Sequence, residues 1–478
     1  MSTMAEDGFA SHKRDPVKSS VGGVASQKRR QHAVAVRKER RESLVRAKRL
    51  CRVGSSGDDA DTPLNNAMMV DEEESVLDAQ AAAAVEELKS AVANQGKGAM
   101  QKVVGALREL RRVLSRTEFP PIEAALEAGA MPLLVHCLAF GSPDEQLLEA
   151  AWCLTNIAAG KPEETKALVP ALPLLIAHLG EKSSSPVAEQ CAWALGNVAG
   201  EGEELRNVLL SQGVLLPLAR MMLPSKGSTV RTAAWALSNL IKGPDPKAAT
   251  NLIRVDGILD AITRHLRKAD EELATEVAWI TVYLSALSNL ATAMLVKSNV
   301  HELLLHRLAT STSLQLLIPE AAWVLSNVAA GSVEHKQLIY KSEAVIPLLL
   351  HLLSTAAFDV RKEVAYTIGN LCVAAASEQD SGRLSLILDH LVFLVEKGCL
   401  PGFIDLIRSA DTEAAKLGLQ FMEMVLRGMP NGEGPKLVER EDGIEAMERF
   451  QFHENEDLRN MANGLVDRYF GEDYGLDR

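Results

Sequence analysis

The sequence predicts an all-α protein built from one helical unit that repeats along most of the chain. The first observation is a block, AAWCLTNIAAG at 150–160, which returns as CAWALGNVAGE at 191–201, AAWALSNLIKG at 233–243 and AAWVLSNVAAG at 321–331. The second is that one position of this unit holds every tryptophan of the chain, at Trp152, Trp193, Trp235, Trp279 and Trp323, with Tyr366 in the next place. The steps of 41, 42, 44, 44 and 43 residues are typical of armadillo and HEAT solenoids.

The tryptophan and asparagine of each block lie four residues apart, so they share one face of a helix. In stacked repeats these pairs would line up as a ladder. Indole faces suit the stems and charges of Lys or Arg, and Asn carboxamides can bond the backbone of an extended peptide. The series therefore favours a peptide-binding groove, although a core tryptophan and a helix-end asparagine explain any single repeat more simply. The glycine after each block is expected to be the left-handed residue that ends a helix.

Composition limits the class of protein. The apolar fraction of 47% can build a continuous core, and an aromatic fraction of only 4% suits stacked helices rich in Ala and Leu. No apolar run reaches the roughly 18–20 residues of a membrane helix, and the N-terminus does not resemble a secretory signal. Six cysteines without a CxxC pair predict buried free thiols in a reducing compartment.

Charge is distributed unevenly along the chain. Residues 1–52 hold 14 Lys and Arg against 5 Asp and Glu, a net charge of +9, whereas the whole chain carries −12. The remainder therefore carries about −21, which attracts basic partners and repels nucleic acid. The cationic stretch 28–52 predicts a helix that folds on a partner. A nucleic-acid arm, a membrane-surface helix and a ligand for an acidic protein all remain open, although the thin apolar face weakens the membrane interpretation.

These patterns predict three segments, which are a basic arm over 1–52, an acidic flexible linker over 53–75 and a repeat domain over 76–478. In each repeat a turn with a small residue precedes a proline-containing helix start, and a polar loop and the long Trp–Asn helix follow. The Trp279 unit departs, because Tyr283 stands where the other units have Asn. After Tyr366 the pattern fades, and 443–473 is predicted to be a C-terminal cap.

Motifs for catalysis or cofactor binding are missing from the sequence. It contains no GxGxxG, GxxxxGK[ST], HExxH or GxSxG pattern, and its eleven histidines are scattered. The acidic run at 71–74 is interpreted as solvated linker and not as a metal site. We therefore expect a binding protein that is not an enzyme and that uses no cofactor or metal.

The Trp–Asn ladder, the basic N-terminal arm and the HENE motif at 453–456 together resemble the importin alpha family of nuclear import adaptors, over nearly the whole chain. The resemblance implies a right-handed armadillo superhelix whose concave groove binds lysine-rich nuclear localisation signals. In it, a carboxylate (here Glu201) pairs with a lysine ammonium while indoles flank the lysine stem. By resemblance, the major cargo site comprises Trp152, Asn156, Gly160, Thr165, Trp193, Asn197, Glu201, Trp235 and Asn239.

The same resemblance implies a second site and several partners. The minor cargo site would comprise Glu320, Trp323, Asn327, Glu363, Tyr366 and Asn370. The arm would bind importin beta through Lys28, Arg29, Arg30, Arg37, Lys38, Arg40, Arg41, Arg46, Lys48 and Arg49. Its Lys48-Arg49 cluster would also fold back into the empty groove, weakly because Leu50 and Cys51 interrupt it. An export receptor would meet the C-terminal repeats, and the protein would shuttle between cytoplasm and nucleus without contacting nucleic acid or membrane directly.

One departure from the family concerns the number of repeats. The family has ten, with a repeat lacking Trp between those that match Trp279 and Trp323, whereas here one step of 44 residues joins these two. We count about nine repeats, with Leu314–Pro319 running directly into Glu320–Asn327. Loss of one unit in register leaves a foldable array but moves the minor site one step toward the major one. Bipartite cargo, whose two basic clusters need a set span, could then be misread.

Two other functions remain open from the sequence. A general armadillo scaffold without a transport role would show the same repeats, but one for acidic tails needs a basic groove, which conflicts with a body charge of about −21. A nucleic-acid-binding protein could use 28–52, but the same charge hinders it and no base-reading module is found.

Overall fold

The computed structural model describes residues 67–94, 96, 98–115, 120–224, 228–243, 245–268, 270–310, 318–341, 345–373 and 381–471. These residues form two compact units that divide between Ser298 and Asn299. Within the described ranges every regular element is helical, as predicted. The predicted arm 1–52, most of the linker 53–75 and residues 314–317 of the predicted junction lie outside these ranges.

The first unit opens with two helices, α1 (Ala67–Ala93) and α2 (Ala99–Val113), and continues with groups of helices that each end in a long one. The groups are α3 (Ile122–Glu127), α4 (Ala130–Cys137) and α5 (Asp144–Ile157); α6 (Pro162–Lys166), α7 (Leu172–Ala177) and α8 (Ser185–Glu201); α9 (Glu203–Ser211), α10 (Leu215–Met221) and α11 (Ser228–Ile241); and α12 (Pro246–Ile253), α13 (Ile258–Arg267) and α14 (Glu271–Leu287). A 3₁₀ turn, Val169–Ala171, precedes α7, and α15 (Asn289–Lys297) is the last helix of the unit.

The second unit shows the same alternation of short and long helices. Its elements are α16 (Val300–Thr310), α17 (Ile318–Ala329), α18 (Val333–Lys341), α19 (Val345–Thr355), α20 (Phe358–Leu371), α21 (Ser381–Glu396), α22 (Leu400–Ile407), α23 (Thr412–Gly428), α24 (Gly434–Arg440), α25 (Gly443–Glu448) and α26 (Glu456–Phe470). Asn455, in the HENE motif, caps α26 because its side chain accepts a hydrogen bond from Leu458 N.

The long helices of each unit pack side by side, in the order α5, α8, α11 and α14 in the first unit and with α17 against α20 in the second. The alanine pairs that precede the tryptophans, Ala150-Ala151, Ala233-Ala234 and Ala321-Ala322, are fully buried between them. Small side chains let the helix backbones approach closely, and the flanking Leu and Val residues fill the space around them. The repeating block therefore produces the core as well as the ladder.

Carbonyl groups at the ends of the long helices are bonded by side chains from the helix that follows. The donor stands seven residues after the acceptor in each case, so the device recurs with the repeat. The bonds are Thr165 Oγ1 to Ala158 O (3.2 Å), Arg206 Nη1 to Ala199 O (3.3 Å), Thr292 Oγ1 to Ser285 O (3.1 Å) and Lys336 Nζ to Ala329 O (2.5 Å). They satisfy carbonyls that have no partner within their own helix.

The predicted left-handed glycine after each block is wrong. Positive φ angles occur instead at Gly129, Gly213 and Gly257, at or next to the start of the second helix of a group. Gly160, which follows the first block, is instead closely surrounded: a Cβ there would lie 2.1 Å from Glu164 Oε2 and 2.7 Å from Ile122 Cδ1, so the ends of these side chains would have to shift. The sequence could not separate these two uses of glycine, because both favour the smallest residue.

The predicted boundary between linker and repeat domain also needs correction. Helix α1 begins at Ala67, so the last nine residues of the predicted linker 53–75 are helical. Ala, Met and Glu dominate this stretch and all three are strong helix formers, which outweighs its acidic character.

The five described cysteines, Cys137, Cys153, Cys191, Cys372 and Cys399, are buried and free. Burial raises the pKa of the Cys137 thiol to about 11 and that of Cys191 to about 12, so both stay protonated near neutral pH. In the described ranges no cluster of His, Cys, Asp and Glu could hold a metal ion. No single helix there is long and apolar enough to cross a membrane; only the bent pair Val333–Lys341 and Val345–Thr355 passes on length and composition.

Buried histidines should make the stability of the fold sensitive to mild acid. His265 Nε2 donates to Met222 O at 2.9 Å, whereas its Nδ1 is buried without a hydrogen-bond partner. Burial lowers the pKa of His265, and Arg264 and Lys268 add to this, against smaller raising effects of the Met222 bond and Asp270. A lowered folded pKa gives stability that is present above the unfolded pKa near 6.5 and lost as pH falls toward the folded value.

We therefore expect the Tm to fall as the pH decreases below about 6.5, and to fall less in a His265→Gln variant, whose amide can keep the bond to Met222 O. Thermal melts across this range measure both slopes. The exposed His351 supplies the matched control, because His351→Gln removes a histidine that is not buried. Equal slopes for wild type and His265→Gln would contradict the assignment.

Candidate peptide-binding surface

The ladder tryptophans are half-buried, in contrast to the apolar core around them. Trp152, Trp193, Trp235 and Trp323 all fall in this class. Trp279 is only 7% exposed and stacks on Tyr283, with ring centroids 5.8 Å apart. The unit that the sequence marked as divergent thus lacks an accessible indole. In the first unit, the accessible rings belong to three consecutive long helices, α5, α8 and α11.

Three of the ladder asparagines, Asn197, Asn239 and Asn370, connect their long helix to the long helix before it. The amide nitrogen Nδ2 donates to a backbone carbonyl three residues after the preceding Trp, from Asn197 to Thr155 O (3.2 Å), from Asn239 to Gly196 O (3.2 Å) and from Asn370 to Ser326 O (3.1 Å). These bonds hold neighbouring long helices in one register, so the tryptophans four residues earlier repeat at equivalent places. The helix-end interpretation of the asparagine is therefore part of the explanation, and it is also what aligns the indoles.

The carboxamide nitrogen of Asn197 makes a hydrogen bond, but its carboxamide oxygen does not. Asn197 is fully buried, and its Oδ1 has no hydrogen-bond partner in the described part of the chain. An unbonded buried carbonyl oxygen costs about 1–3 kcal/mol. Such a group is a candidate acceptor for an N–H that a ligand brings, provided that the side chain shifts enough to present it.

The residue three positions after the ladder aromatic is small in every unit except that of Trp279, where it is Val282, and the structure shows why at one place. A Cβ on Gly196 would lie 2.2 Å from Cζ3 of Trp235, so the indole of the next repeat rests directly on the glycine. The corresponding residues elsewhere are Thr155, Ser238, Ser326 and Gly369. Gly196 thus positions Trp235, a role that the sequence analysis missed although the small residue was visible in every block.

The first ladder position has neighbours of its own, which the sequence analysis also missed. The guanidinium of Arg111 on α2 lies 4.3 Å from the centroid of the Trp152 ring. Its Nε donates to Glu149 Oε2 at 2.5 Å, and Arg108 Nε donates to Glu149 Oε1 at 3.3 Å. Asn156 Nδ2 donates to Ser115 Oγ at 2.8 Å, not to a backbone carbonyl. The only signal in the sequence was the RELRR run at 108–112.

The residues predicted around the lysine pocket lie near the ends of the long helices. Gly160 and Glu201 are half-buried, and Thr165 is fully buried with its hydroxyl bonded to Ala158 O. The Thr165 hydroxyl is therefore already engaged in a hydrogen bond within the fold, and a ligand would have to displace that bond to use the hydroxyl. Glu201 is the last residue of α8.

The predicted minor-site residues lie on α17 and α20 in the second unit. Trp323 and Asn327 are half-buried, whereas Glu320, Glu363, Tyr366 and Asn370 are buried. The Tyr366 hydroxyl donates to Glu413 Oε1 at 2.7 Å. The tyrosine that takes the place of a sixth tryptophan is thus 2% exposed and tied to α23, so its ring is far less accessible than the indoles.

A partly buried cluster of ion pairs lies beside this tyrosine. Lys362 Nζ lies 3.0 Å from Asp411 Oδ2 and 3.4 Å from Glu413 Oε2. Burial alone would lower the pKa of Lys362, but its hydrogen bond to Asp411 and the charge of Glu413 outweigh it and raise the pKa. Burial likewise acts to raise the pKa of Asp411, yet the N–H of Ala414 and Lys362 together lower it. Both groups therefore stay charged near neutral pH.

Comparisons with known proteins agree on the repeat and on the family. A model of the armadillo/beta-catenin-like repeat matches residues 119–159, 202–242 and 332–373, and a model of a HEAT-like repeat matches 144–198. Importin subunit alpha-9 of Arabidopsis thaliana is 67% identical, over 99% of this chain and 100% of that protein. Importin subunit alpha-2 of Oryza sativa subsp. japonica is 58% identical, over 98% and 97%.

Among solved structures, the crystal structure of an engineered protein superposes with a TM-score of 0.68 at 24% identity, covering 79% of this chain and 87% of that one. This likeness concerns the fold alone. The alignment with the Arabidopsis protein spans 521 positions against the 478 residues of this chain, so at least 43 of its positions have no counterpart here. The armadillo solenoid that the sequence predicted is thus confirmed, and the chain belongs to the importin alpha family of nuclear import adaptors.

Proposed function

We propose that this protein carries basic cargo into the nucleus by holding a lysine-bearing segment against the half-buried indoles of Trp152, Trp193 and Trp235. The observation that carries the proposal is the register of these rings, which the Asn197 and Asn239 bonds maintain from one long helix to the next. Indole faces bind the stems and charges of lysines, and an acidic body attracts the cargo over a distance. Binding, and not catalysis, is then the whole of its chemistry.

The other residues of the proposed major site are supported by their places along the long helices. Asn156, Asn197 and Asn239 follow the indoles by four residues on the same long helices, and Gly160, Thr165 and Glu201 lie at or shortly after the ends of α5 and α8. Glu201 would supply the carboxylate for a lysine ammonium at that end of the groove. In the second unit, Trp323 and Asn327 would offer a smaller surface, with Glu320, Glu363, Tyr366 and Asn370 beneath it.

The remaining partners follow from family membership. We propose that the arm residues between Lys28 and Arg49 bind importin beta, that an export receptor recognises the C-terminal repeats, and that the protein shuttles between cytoplasm and nucleus without binding nucleic acid or membrane itself. At least 43 positions of the alignment with the Arabidopsis protein have no counterpart in this chain, and one repeat is about as long. This supports an array one repeat shorter than that of its relative. We expect such an array to bind a single basic cluster better than two clusters with a long fixed span.

A titration of the full chain with a fluorescent lysine-rich peptide tests the groove. We expect saturable binding that weakens as salt rises, because charged contacts are screened. A peptide with its lysines replaced by glutamine, equal in length, is the control and should not bind. Equal binding of both peptides would instead favour a general armadillo scaffold.

Deletion of residues 1–52 tests the two proposed roles of the arm. Removing an internal competitor for the groove should raise the affinity for the peptide, by about 2- to 10-fold if fold-back is weak. The same deletion should abolish capture of importin beta, measured by pull-down. A variant with Lys48 and Arg49 changed to Ala separates the roles, since it should relieve competition while importin beta still binds. Unchanged peptide affinity in both variants would mean that the arm does not occupy the groove.

A further inference from the structure

A lysine side chain is buried at the end of α17 in the second unit. Lys336 on α18 is 2% exposed, and its Nζ donates to Ala329 O at 2.5 Å and to Asn370 O at 2.7 Å. Ala329 is the last residue of α17, and Asn370 is the last but one of α20. One ammonium group therefore joins the C-terminal ends of two neighbouring long helices.

The chemistry of this place suits a primary ammonium group. Carbonyl oxygens in the last turn of a helix lack partners within that helix, and the helix dipole adds partial negative charge there. Two such ends side by side offer acceptors to a compact cation, and an ammonium group has three N–H donors to bring to them. Because the place is enclosed, water does not compete for these contacts. The ends of α17 and α20 thus have the donor and charge requirements of an alkylammonium site.

Two buried side chains lie close enough to this ammonium for its charge to affect their pKa values. Burial lowers the pKa of His390, its bond to Leu371 O opposes this, and the charge of Lys336 lowers the pKa further. Burial raises the pKa of Cys372 to about 12, and the same ammonium opposes that rise. Both neighbours are therefore neutral near pH 7, and they leave the carbonyl groups to stabilise the charge.

The equivalent place in the first unit holds a neutral side chain. Thr165 follows Ala158 by seven residues, as Lys336 follows Ala329, and its hydroxyl donates to Ala158 O at 3.2 Å. A threonine is shorter than a lysine and brings no charge, so this position supplies no cation to the end of α5. This is the end of the groove where the proposed function places a cargo lysine.

We infer that the ends of α17 and α20 form a binding site for a primary alkylammonium group, which the chain fills with its own Lys336, so that a cargo lysine cannot enter it. The site itself does not depend on the proposed function, whereas the exclusion of cargo from it rests on that function. Lys336 determines specificity here by occupying the site, and not by touching the cargo.

Chemical rescue of Lys336→Ala by n-propylammonium tests the site on the full chain. The substitution removes the three outer carbons and the nitrogen of the side chain, and n-propylammonium supplies the same atoms. Lys336→Ala should have a lower Tm than wild type, because two buried carbonyl groups lose a charged donor. At constant ionic strength, n-propylammonium at about ten times its dissociation constant should raise that Tm by about 2–4 °C, and the rise should saturate.

Matched variants and a second cation serve as controls. Lys336→Met keeps the volume of the stem without its charge, so it should lower the Tm but show no response to n-propylammonium. Lys341→Ala removes an exposed lysine at the end of the same helix and should show no response either. Tetramethylammonium carries the same charge but no N–H donor, and it should not stabilise Lys336→Ala. If Lys336→Ala is unfolded by itself, recovery of its helical circular dichroism in n-propylammonium is the equivalent measurement.

Peptide binding tests the exclusion of cargo. Trp193→Ala weakens binding in the first unit, and the remaining affinity for a lysine-rich peptide is measured in this background with and without Lys336→Ala. Emptying the site should raise the remaining affinity by about 3- to 10-fold, and n-propylammonium should compete for the gain. Lys336→Met, which keeps the site filled, should give no gain in the same background.

Absence of rescue in Lys336→Ala, or an equal response in Lys336→Met, overturns the alkylammonium site. Rescue without a gain in peptide affinity overturns the exclusion of cargo. Failure of the wild type to bind any lysine-rich peptide overturns the proposed function, and the rescue still decides whether the site exists.

Discussion

Replacing Trp193 by alanine should lower the affinity for a lysine-rich peptide by roughly 10- to 100-fold, the largest effect on binding that we expect from a single substitution. The change removes both the apolar wall for a lysine stem and the ring face for its charge. The ring is half-buried, so the cost in stability should be smaller than that of a core tryptophan. Fluorescence anisotropy for binding and thermal melts for stability measure the two effects separately.

Trp279→Phe is the matched control for Trp193→Ala. Trp279 holds the same place in its repeat but is 7% exposed and stacks on Tyr283, so its indole is not offered to a ligand. This variant should lower the Tm while the peptide affinity stays at the wild-type value. A loss of affinity in Trp279→Phe as large as that in Trp193→Ala would show that the peptide effect follows from damage to the solenoid.

Asn197→Ala should affect both quantities. Its amide bonds Thr155 O across to the preceding long helix, so the substitution leaves a buried carbonyl without its partner, at a cost of about 1–3 kcal/mol. It also removes the unbonded Oδ1, so we expect a net loss of stability smaller than that cost. Binding should weaken too, because the register of Trp193 and its neighbours depends on such bonds. Stability and peptide affinity should therefore change together in Asn197→Ala, whereas Trp193→Ala should change mainly the affinity.

The sequence predicted the helical class, the repeat and the ladder because these depend on spacing. Trp152, Asn156 and their equivalents recur at fixed steps, and a helix converts a step of four into a shared face. The half-burial of Trp193 and the burial of Trp279 were harder to separate, since both carry the same residue at the same position. The replacement of Asn by Tyr283 marked the second as different.

Features that depend on contacts between repeats were not predicted. Arg111 and Trp152 are 41 residues apart in the sequence, and the composition of the RELRR run does not show which arginine will cover an indole. The small residue at Gly196 was visible in every block, yet its purpose becomes clear only when Trp235 is seen to rest on it. The start of α1 at Ala67 was misplaced because acidic residues suit both a linker and a solvated helix.

Replacing Gly196 by alanine should destabilise the first unit although alanine is the better helix former. Within a helix this change would ordinarily stabilise by about 0.5–1 kcal/mol. Here the new Cβ would lie 2.2 Å from Cζ3 of Trp235, well inside van der Waals contact, so the indole or the helix must move. We expect a net loss of about 1–3 kcal/mol, together with weaker peptide binding because Trp235 leaves its place in the ladder.

Gly369→Ala tests whether the clash is the cause. Gly369 occupies the same position in the repeat as Gly196, within α20, but a Cβ there would meet only Leu417 Cδ1 at 3.8 Å, an ordinary contact. The helix propensity of alanine should then prevail and raise the Tm slightly. The double variant Gly196→Ala with Trp235→Ala completes the design: without the ring there is nothing to clash with, so adding Gly196→Ala to Trp235→Ala should cost nothing. If Gly196→Ala is as destabilising in that background as in the wild type, the contact with Trp235 is not what requires glycine at this position.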